Sequence, residues 1–201
     1  MKKNTYTMEI AGLERALPLC KINDNLYIGA FVMFGDVEIT CAAARELLKR
    51  VPEYDIMITA ECKGIPLIFE MARQAGSNQY IVARKGSKLY MQNVYTTPVN
   101  SLTTVNEQIL CLSEENMRAM KGKRVLLVDD VISVGRTMAA LERLVYEAGG
   151  SVAGRMAVLA EGAAAKRTDI TYLAPLPVFD ADGEPFLDAD RNALEEQGAS
   201  R

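Results

Sequence analysis

The stretch from Val125 to Thr137 holds the residues best suited to a charged ligand. Arg124-Val-Leu-Leu-Val128 reads as a buried strand, and two adjacent carboxylates, Asp129 and Asp130, follow it. Paired carboxylates beside low-dielectric strand walls are costly unless donors or cations meet them. A ribose diol and Mg²⁺ supply both. Directly afterwards, Gly135 lets the backbone turn with no side chain in the way, while Ser133, Thr137 and the amides that open the next helix aim donors at one spot. That spot suits a phosphate monoester. A strand-turn-helix corner whose acids only cap the helix has the same outline, so the order of residues must decide between the two.

That order is a hydrophobic strand, Asp-Asp, two apolar residues, Ser, one residue, Gly, Arg, Thr. It resembles the phosphoribosyl-pyrophosphate (PRPP) signature of the type I phosphoribosyltransferases. By this resemblance Asp129 and Asp130 bind the ribose hydroxyls and, directly or through water and PRPP, the metal. Ser133, Val134, Gly135, Arg136 and Thr137 wrap the 5-phosphate. Many members of the family carry Thr or Ser where this chain has Val134, so its cradle relies on backbone amides, Ser133 and Thr137. Neither GxxxxGK[ST] nor GxGxxG occurs, which leaves ATP and dinucleotide readings without support.

Two further loops complete the pattern. Thr59-Ala-Glu-Cys-Lys-Gly64 lies between a predicted buried strand and a helix and resembles the family's pyrophosphate loop, implying roles for Glu61, Cys62, Lys63 and Gly64. As a bare strand-to-helix connection it is ordinary, and its place one unit before a basic loop is what singles it out. Arg84-Lys85-Gly86-Ser87-Lys88 puts three cations in five residues. A solvated charge cluster is the plain alternative, but PRPP carries several negative charges that must be neutralised locally. Val82 to Leu89 resembles the corresponding stretch of adenine phosphoribosyltransferases, which implies a loop that closes over the site and a homodimer whose basic residues act across the interface.

The implied reaction is attack of a base nitrogen on C1 of PRPP, with Mg²⁺ as cofactor and a purine, adenine first, as acceptor. Xanthine and hypoxanthine/guanine are the alternatives. The chain has no histidine, so proton transfer falls to a carboxylate. Glu107 roughly matches the glutamate of the adenine enzymes, although its setting, Val105-Asn-Glu-Gln-Ile109, lacks their tyrosine and glycine. The base would stack on apolar side chains, either Phe31 and Phe34 or the stretch from Tyr172 to Phe179, all of which could equally belong to the core.

These residues need a scaffold that brings three loops to one place. Helical spacing over residues 37–50, an apolar run at 55–60, a helix over 65–75 and a strand at 80–83 make one strand-helix-strand unit. Residues 84–107 have no clear period and read as a long mobile loop with room for short strands. A strand at 108–112, a turn or short helix around 114–120, the strand at 124–128, a helix over 136–148 and a strand at 151–160 follow. Alternating strands and helices predict an α/β fold, a mostly parallel sheet flanked by helices, with ligand loops at the carboxyl ends of the strands.

At 201 residues and about half apolar, the chain is expected to be one domain. Its core spans about 36–165, a hood comes from 1–35 and/or 166–186, and residues 187–201 form a flexible acidic tail. A formal net charge of -3 gives no basic field for nucleic acid. Neither a signal peptide nor an apolar run of membrane-spanning length is present, so a cytoplasmic protein is expected. Cys20, Cys41, Cys62 and Cys111 form no CxxC pair and read as small buried hydrophobes. A non-catalytic PRPP sensor of the same fold is the competing class, disfavoured because no DNA-binding segment is visible and the basic loop residues are kept. A carboxylate-metal phosphohydrolase would need further ligands at matching strand ends.

Overall fold

The computed structural model describes residues 4–99 and 108–186. The chain opens as an antiparallel meander of β1 (Thr5–Ile10), β2 (Leu13–Asn23) and β3 (Leu26–Gly29). α1 (Val37–Leu48) is started by Asp36, whose carboxylate accepts the Ile39 amide at 3.0 Å. β4 (Ile56–Ala60), α2 (Ile65–Gln74) and β5 (Ile81–Ala83) form the first strand-helix-strand unit. An antiparallel pair, β6 (Tyr95–Pro98) with β7 (Ile109–Leu112), leads into α3 (Glu114–Met120). β8 (Arg124–Ile132), α4 (Arg136–Glu147) and β9 (Ser151–Glu161) make the second unit. A 3-10 turn over Gly162–Lys166 then leads to β10 (Thr171–Leu176), and β11 (Val178–Phe179) and β12 (Pro185–Phe186) close the described chain.

The central sheet has the order β10-β9-β8-β4-β5, and every neighbouring pair is parallel. Such a sheet must be covered on both faces, and its strand residues divide accordingly. Val125 and Leu127 turn to the layer that contains Leu141 and Leu144 of α4 and Met117 and Met120 of α3. Leu126 and Val128 turn to the layer that contains Leu47 of α1 and Leu67, Ile68 and Met71 of α2. All four strand residues are fully buried, which explains why the sequence there is a continuous apolar run. A second sheet, β1-β2-β3-β11-β12, joins the first and last strands of the described residues, with Val178 paired to Ile28 and Phe179 to Tyr27.

Two expectations change. β8 does not stop at Val128 but continues through Asp129 and Asp130 to Ile132, because β9 is long enough to pair with it as far as Ala160. The cysteines are all free thiols, but only Cys111 is buried. Cys41 is half-buried, Cys20 lies exposed on β2 and Cys62 lies exposed in the loop after β4. Antiparallel β2 has one face to solvent and the loop has no covering layer, so neither position demands an apolar side chain. No helix among the described residues is long and apolar enough to cross a membrane.

The two-sided burial of β8 has a measurable consequence. Leu127→Ala should leave a cavity between the sheet and α4 and destabilise the protein by about 2–5 kcal/mol, read as a lower urea midpoint at unchanged m.

Candidate active site

The sheet changes direction between β8 and β4. β4 is followed outward by β5, and β8 by β9 and β10. The two inner strands pair only at Ile56–Val125, Met57–Leu126 and Ile58–Leu127. Past that point β8 stays with β9, and β4 stays with β5 as far as Ala60–Ala83. The sheet therefore splits at its carboxyl end and leaves a crevice where open α/β sheets bind ligands. Asp129 and Asp130 stand on the parted edge of β8.

Asp130 is 3% exposed, and its Oδ2 lies 2.7 Å from Lys63 Nζ, an ion pair without a hydrogen bond. Its backbone amide donates to Asp129 Oδ1 at 2.9 Å. Burial, and after it the charge of Asp130, hold the Asp129 carboxyl well above the usual carboxylate range. Thr59 Oγ1, Arg84 Nε and Asp130 Oδ2 are buried without hydrogen-bond partners among the described residues, and all three belong to the strand ends and loops around the crevice. A buried Asp130 oxygen without a hydrogen bond, on one of two crowded carboxylates, fits a cation or a hydroxyl donor.

Two adjoining hollows of about 190 Å³ each occupy the crevice and share Val99, Gln108, Asp129, Val131 and Thr137. The first is bounded by Ser133, Val134, Gly135, Arg136 and Thr137. Gly135 has φ +81°, in the left-handed region that only glycine enters freely, and it caps α4 without a side chain. The first turn of α4 thus presents amides with no internal helical partner to the hollow, and Gly135 adds no side chain of its own. The second hollow is bounded by Glu61, Cys62, Lys63, Lys85 and Asp130. The first hollow gathers the amides that open α4, the second holds Lys63 and Lys85 together with Glu61, and the acid pair lies between them.

The loop after β4 is packed tightly against this pair. A methyl group on Gly64 would fall inside contact distance of Thr59 Oγ1 and 3.3 Å from Asp129 Oδ1, so the N-terminus of α2 can reach the acids only as glycine. Glu61 accepts the Lys85 amide at 3.0 Å and faces Arg84 Nε at 3.3 Å. The Lys85 amide first, then the charges of Arg84, Lys88 and Lys85, hold the Glu61 carboxyl below its usual range. Arg84 itself lines a neighbouring depression with Tyr90, Glu114 and Arg118, and Lys88 lines neither hollow.

Of the sequence-predicted residues, Asp129, Asp130, Ser133, Val134, Gly135, Arg136, Thr137, Glu61, Cys62, Lys63 and Lys85 meet in one crevice, with Gly64 beneath it. The aromatic candidates do not line it. Phe31 is buried in the apolar layer with Leu17, Met33 and Leu159, whereas Phe34 is half-exposed. Phe179 is fully buried with its ring 4.9 Å from Tyr6, and the Tyr172 hydroxyl donates to the Ala165 carbonyl at 2.7 Å. Glu107 lies outside the described residues. Val99 and Gln108, missed in the sequence, line both hollows. They flank the segment between β6 and β7, and Arg143 of α4 ties β6 down by donating to Thr97 Oγ1 at 3.0 Å and to the Pro98 carbonyl. Their only signal was adjacency to that segment.

Comparison with known proteins gives the same picture. The family model described as a phosphoribosyl transferase domain matches residues 35–175. An adenine phosphoribosyltransferase of Cenarchaeum symbiosum is 33% identical over 114 residues, 56% of this chain and 64% of that protein. A xanthine phosphoribosyltransferase of Bifidobacterium adolescentis is 32% identical over 101 residues, 50% of this chain and 51% of that protein. The chain thus spans between about half and just under two thirds of these relatives. The crystal structure of adenine phosphoribosyltransferase from Thermoanaerobacter pseudethanolicus superimposes with a TM-score of 0.59 at 20% identity, covering 71% of this chain and 84% of that one. The adenine phosphoribosyltransferase of Trypanosoma brucei, solved with AMP, pyrophosphate and ribose-5-phosphate, gives 0.60 at 15% identity, covering 77% and 72%. A parallel sheet parted between β8 and β4, an acid pair on the parted edge and a matching family model over most of its length place this chain in the phosphoribosyltransferase family.

Proposed function

We propose that this protein transfers the 5-phosphoribosyl group of PRPP to a purine, adenine in the first instance, releasing pyrophosphate and the nucleoside monophosphate. The observation that carries this reading is the sequence of sites along the crevice: a cradle of helix amides, an acid pair and a pocket that offers Lys63 and Lys85, in the order of the phosphate, ribose and pyrophosphate of PRPP. The names of the relatives supply the acceptor, since adenine, xanthine and hypoxanthine/guanine enzymes all occur among them.

In this reaction a base nitrogen attacks C1 while the C1–O bond to pyrophosphate breaks. The pyrophosphate leaves with the bonding electrons, and C1 is inverted. Ser133, Thr137 and the amides of the α4 turn hold the 5-phosphate and so fix C1. Asp130 and Asp129 accept the ribose hydroxyls, for which Lys63 must release Asp130 and turn to the incoming pyrophosphate. Lys63 and Lys85, with the Arg84 and Lys88 charges nearby, then stabilise the negative charge that builds on the leaving group. Asp129 and Asp130 would also hold Mg²⁺, directly or through water and PRPP, and the cation supplies further charge neutralisation to the pyrophosphate. Val131 lines both hollows and packs against the cluster that contains Phe31, which makes this the apolar side for a purine. Glu107, next to Gln108, takes the proton that the purine nitrogen sheds. The polyanionic substrate and product do not cross membranes unaided, which supports a cytoplasmic setting. The exposed Leu89 and Tyr90 beside the basic loop support pairing of two copies there.

With Mg²⁺, PRPP and single bases, adenine should yield AMP and pyrophosphate faster than xanthine, hypoxanthine or guanine. PRPP binding with no product from any base would instead mark a sensor. Asp130→Asn should weaken PRPP binding at least about tenfold while moving Tm by no more than about 2–4 °C; an unchanged dissociation constant would remove the acid pair from the site. Gly64→Ala should cost about 1–3 kcal/mol in urea unfolding and weaken pyrophosphate binding measured by calorimetry, because the added methyl pushes α2 away from Thr59 and Asp129.

A further inference from the structure

The Arg167 side chain lies against the phosphate cradle from a part of the chain that the sequence motifs do not reach. Its Nη1 stands 2.6 Å from where a Cβ on residue 135 would be, on the one residue of the cradle with a left-handed backbone. The turn before it fixes its position. Arg167 follows the 3-10 turn Gly162–Lys166 and donates its backbone N–H to the Ala164 carbonyl at 3.1 Å, and Ala164 is buried in the same apolar layer as Met138 and Leu141 of α4. The other two nitrogens of the guanidinium are committed to one carboxylate. Nε and Nη2 donate to Asp169 Oδ1 and Oδ2 at 2.9 and 2.6 Å, a bidentate pair that fixes the plane of the group.

This clamp orients the charge. Asp169 sits on the side away from the cradle, where Arg155 also approaches it at 3.9 Å while donating Nη2 to Glu142 at 2.9 Å. The negative partner is thus held behind Arg167 and is shared with a second arginine, and the cationic edge that carries Nη1 faces Gly135. The Arg167 side chain is only 34% exposed, so bulk solvent screens this edge incompletely. The amides of the α4 turn already favour an anion, and a fixed guanidinium behind the glycine adds to the same potential.

We propose that Arg167, oriented by Asp169, is a positioning residue for the 5-phosphate of the sugar ligand: it braces the cradle at Gly135 and places positive charge behind it. The proposal rests on the reading of the crevice as a PRPP site. A residue that only held the turn before β10 would not distinguish one end of the ligand from the other, and this is what the experiment measures.

The full chain is titrated calorimetrically, with Mg²⁺ present, against PRPP and separately against pyrophosphate, which lacks the 5-phosphate. Arg167→Ala should bind PRPP about tenfold more weakly and pyrophosphate within about twofold of wild type. In steady state its KM for PRPP should rise with kcat retained, as expected when binding common to ground and transition states is lost. Arg167→Lys should recover most of the loss because it keeps the charge. If Arg167→Ala does not fold, judged by circular dichroism, Arg167→Gln keeps the stem packing and decides by the same two titrations. PRPP affinity equal to wild type, or equal weakening towards PRPP and pyrophosphate, overturns the proposal. Failure of the wild-type chain itself to bind PRPP would overturn the PRPP reading, and with it this inference, and shows before any variant is made.

Discussion

β8 is hydrogen-bonded on both edges only as far as Leu127, and most of the molecule's chemistry follows from the loss of one neighbour there. Up to that point it is a fully buried core strand. One residue after Val128 the chain is still held by β9 but has an open edge, and the residues at that edge are two carboxylates. An apolar side chain there would face the crevice without a packing layer. A carboxylate there is crowded enough to want a cation, yet open enough to receive one. The same parting gives α2 and α4 their roles, since each starts at a strand end and points its N-terminus into the gap.

Charge in the free protein is balanced locally. Lys63 is set against Asp130 and the basic loop against Glu61, so the cations of the second hollow already face acids before any ligand enters. A polyanion therefore exchanges ion pairs when it binds, and the net gain is the difference between the internal pairs and those made with the ligand. This suits a chain whose overall charge is negative and which cannot attract anions by a long-range field.

The central sheet was legible because its strands are buried on both faces, and double burial writes an unbroken apolar run into the sequence. The acid pair, the cradle from Ser133 to Thr137 and the loop from Glu61 to Gly64 were legible because each is contiguous and tied to a strand-to-helix junction. Where those conditions fail, so does the reading. The N-terminal strands alternate exposure along a sheet open to solvent. The two-residue period of β1, with Tyr6, Met8 and Ile10 the more covered, spans only six residues and β2 is largely exposed, so the meander is hard to read as a unit. Phe31 was an aromatic of either core or site until packing placed it in the core. β8 ran past Val128 because of the length of a partner strand more than twenty residues away, which no local pattern encodes. Val99, Gln108 and Arg167 reach the site by tertiary contact alone.

The second sheet couples the first and last strands of the described residues, since β3 has β2 on one edge and β11 on the other. During synthesis the meander of β1 to β3 leaves the ribosome before β11 and must wait for the whole intervening chain before that second edge is covered. Closing so long a loop is slow compared with the local pairing inside each strand-helix-strand unit. Local pairing in the sheet that carries the crevice therefore has the kinetic advantage over closure of the second sheet, and the edge of β3 is open to mispairing with another chain until β11 arrives.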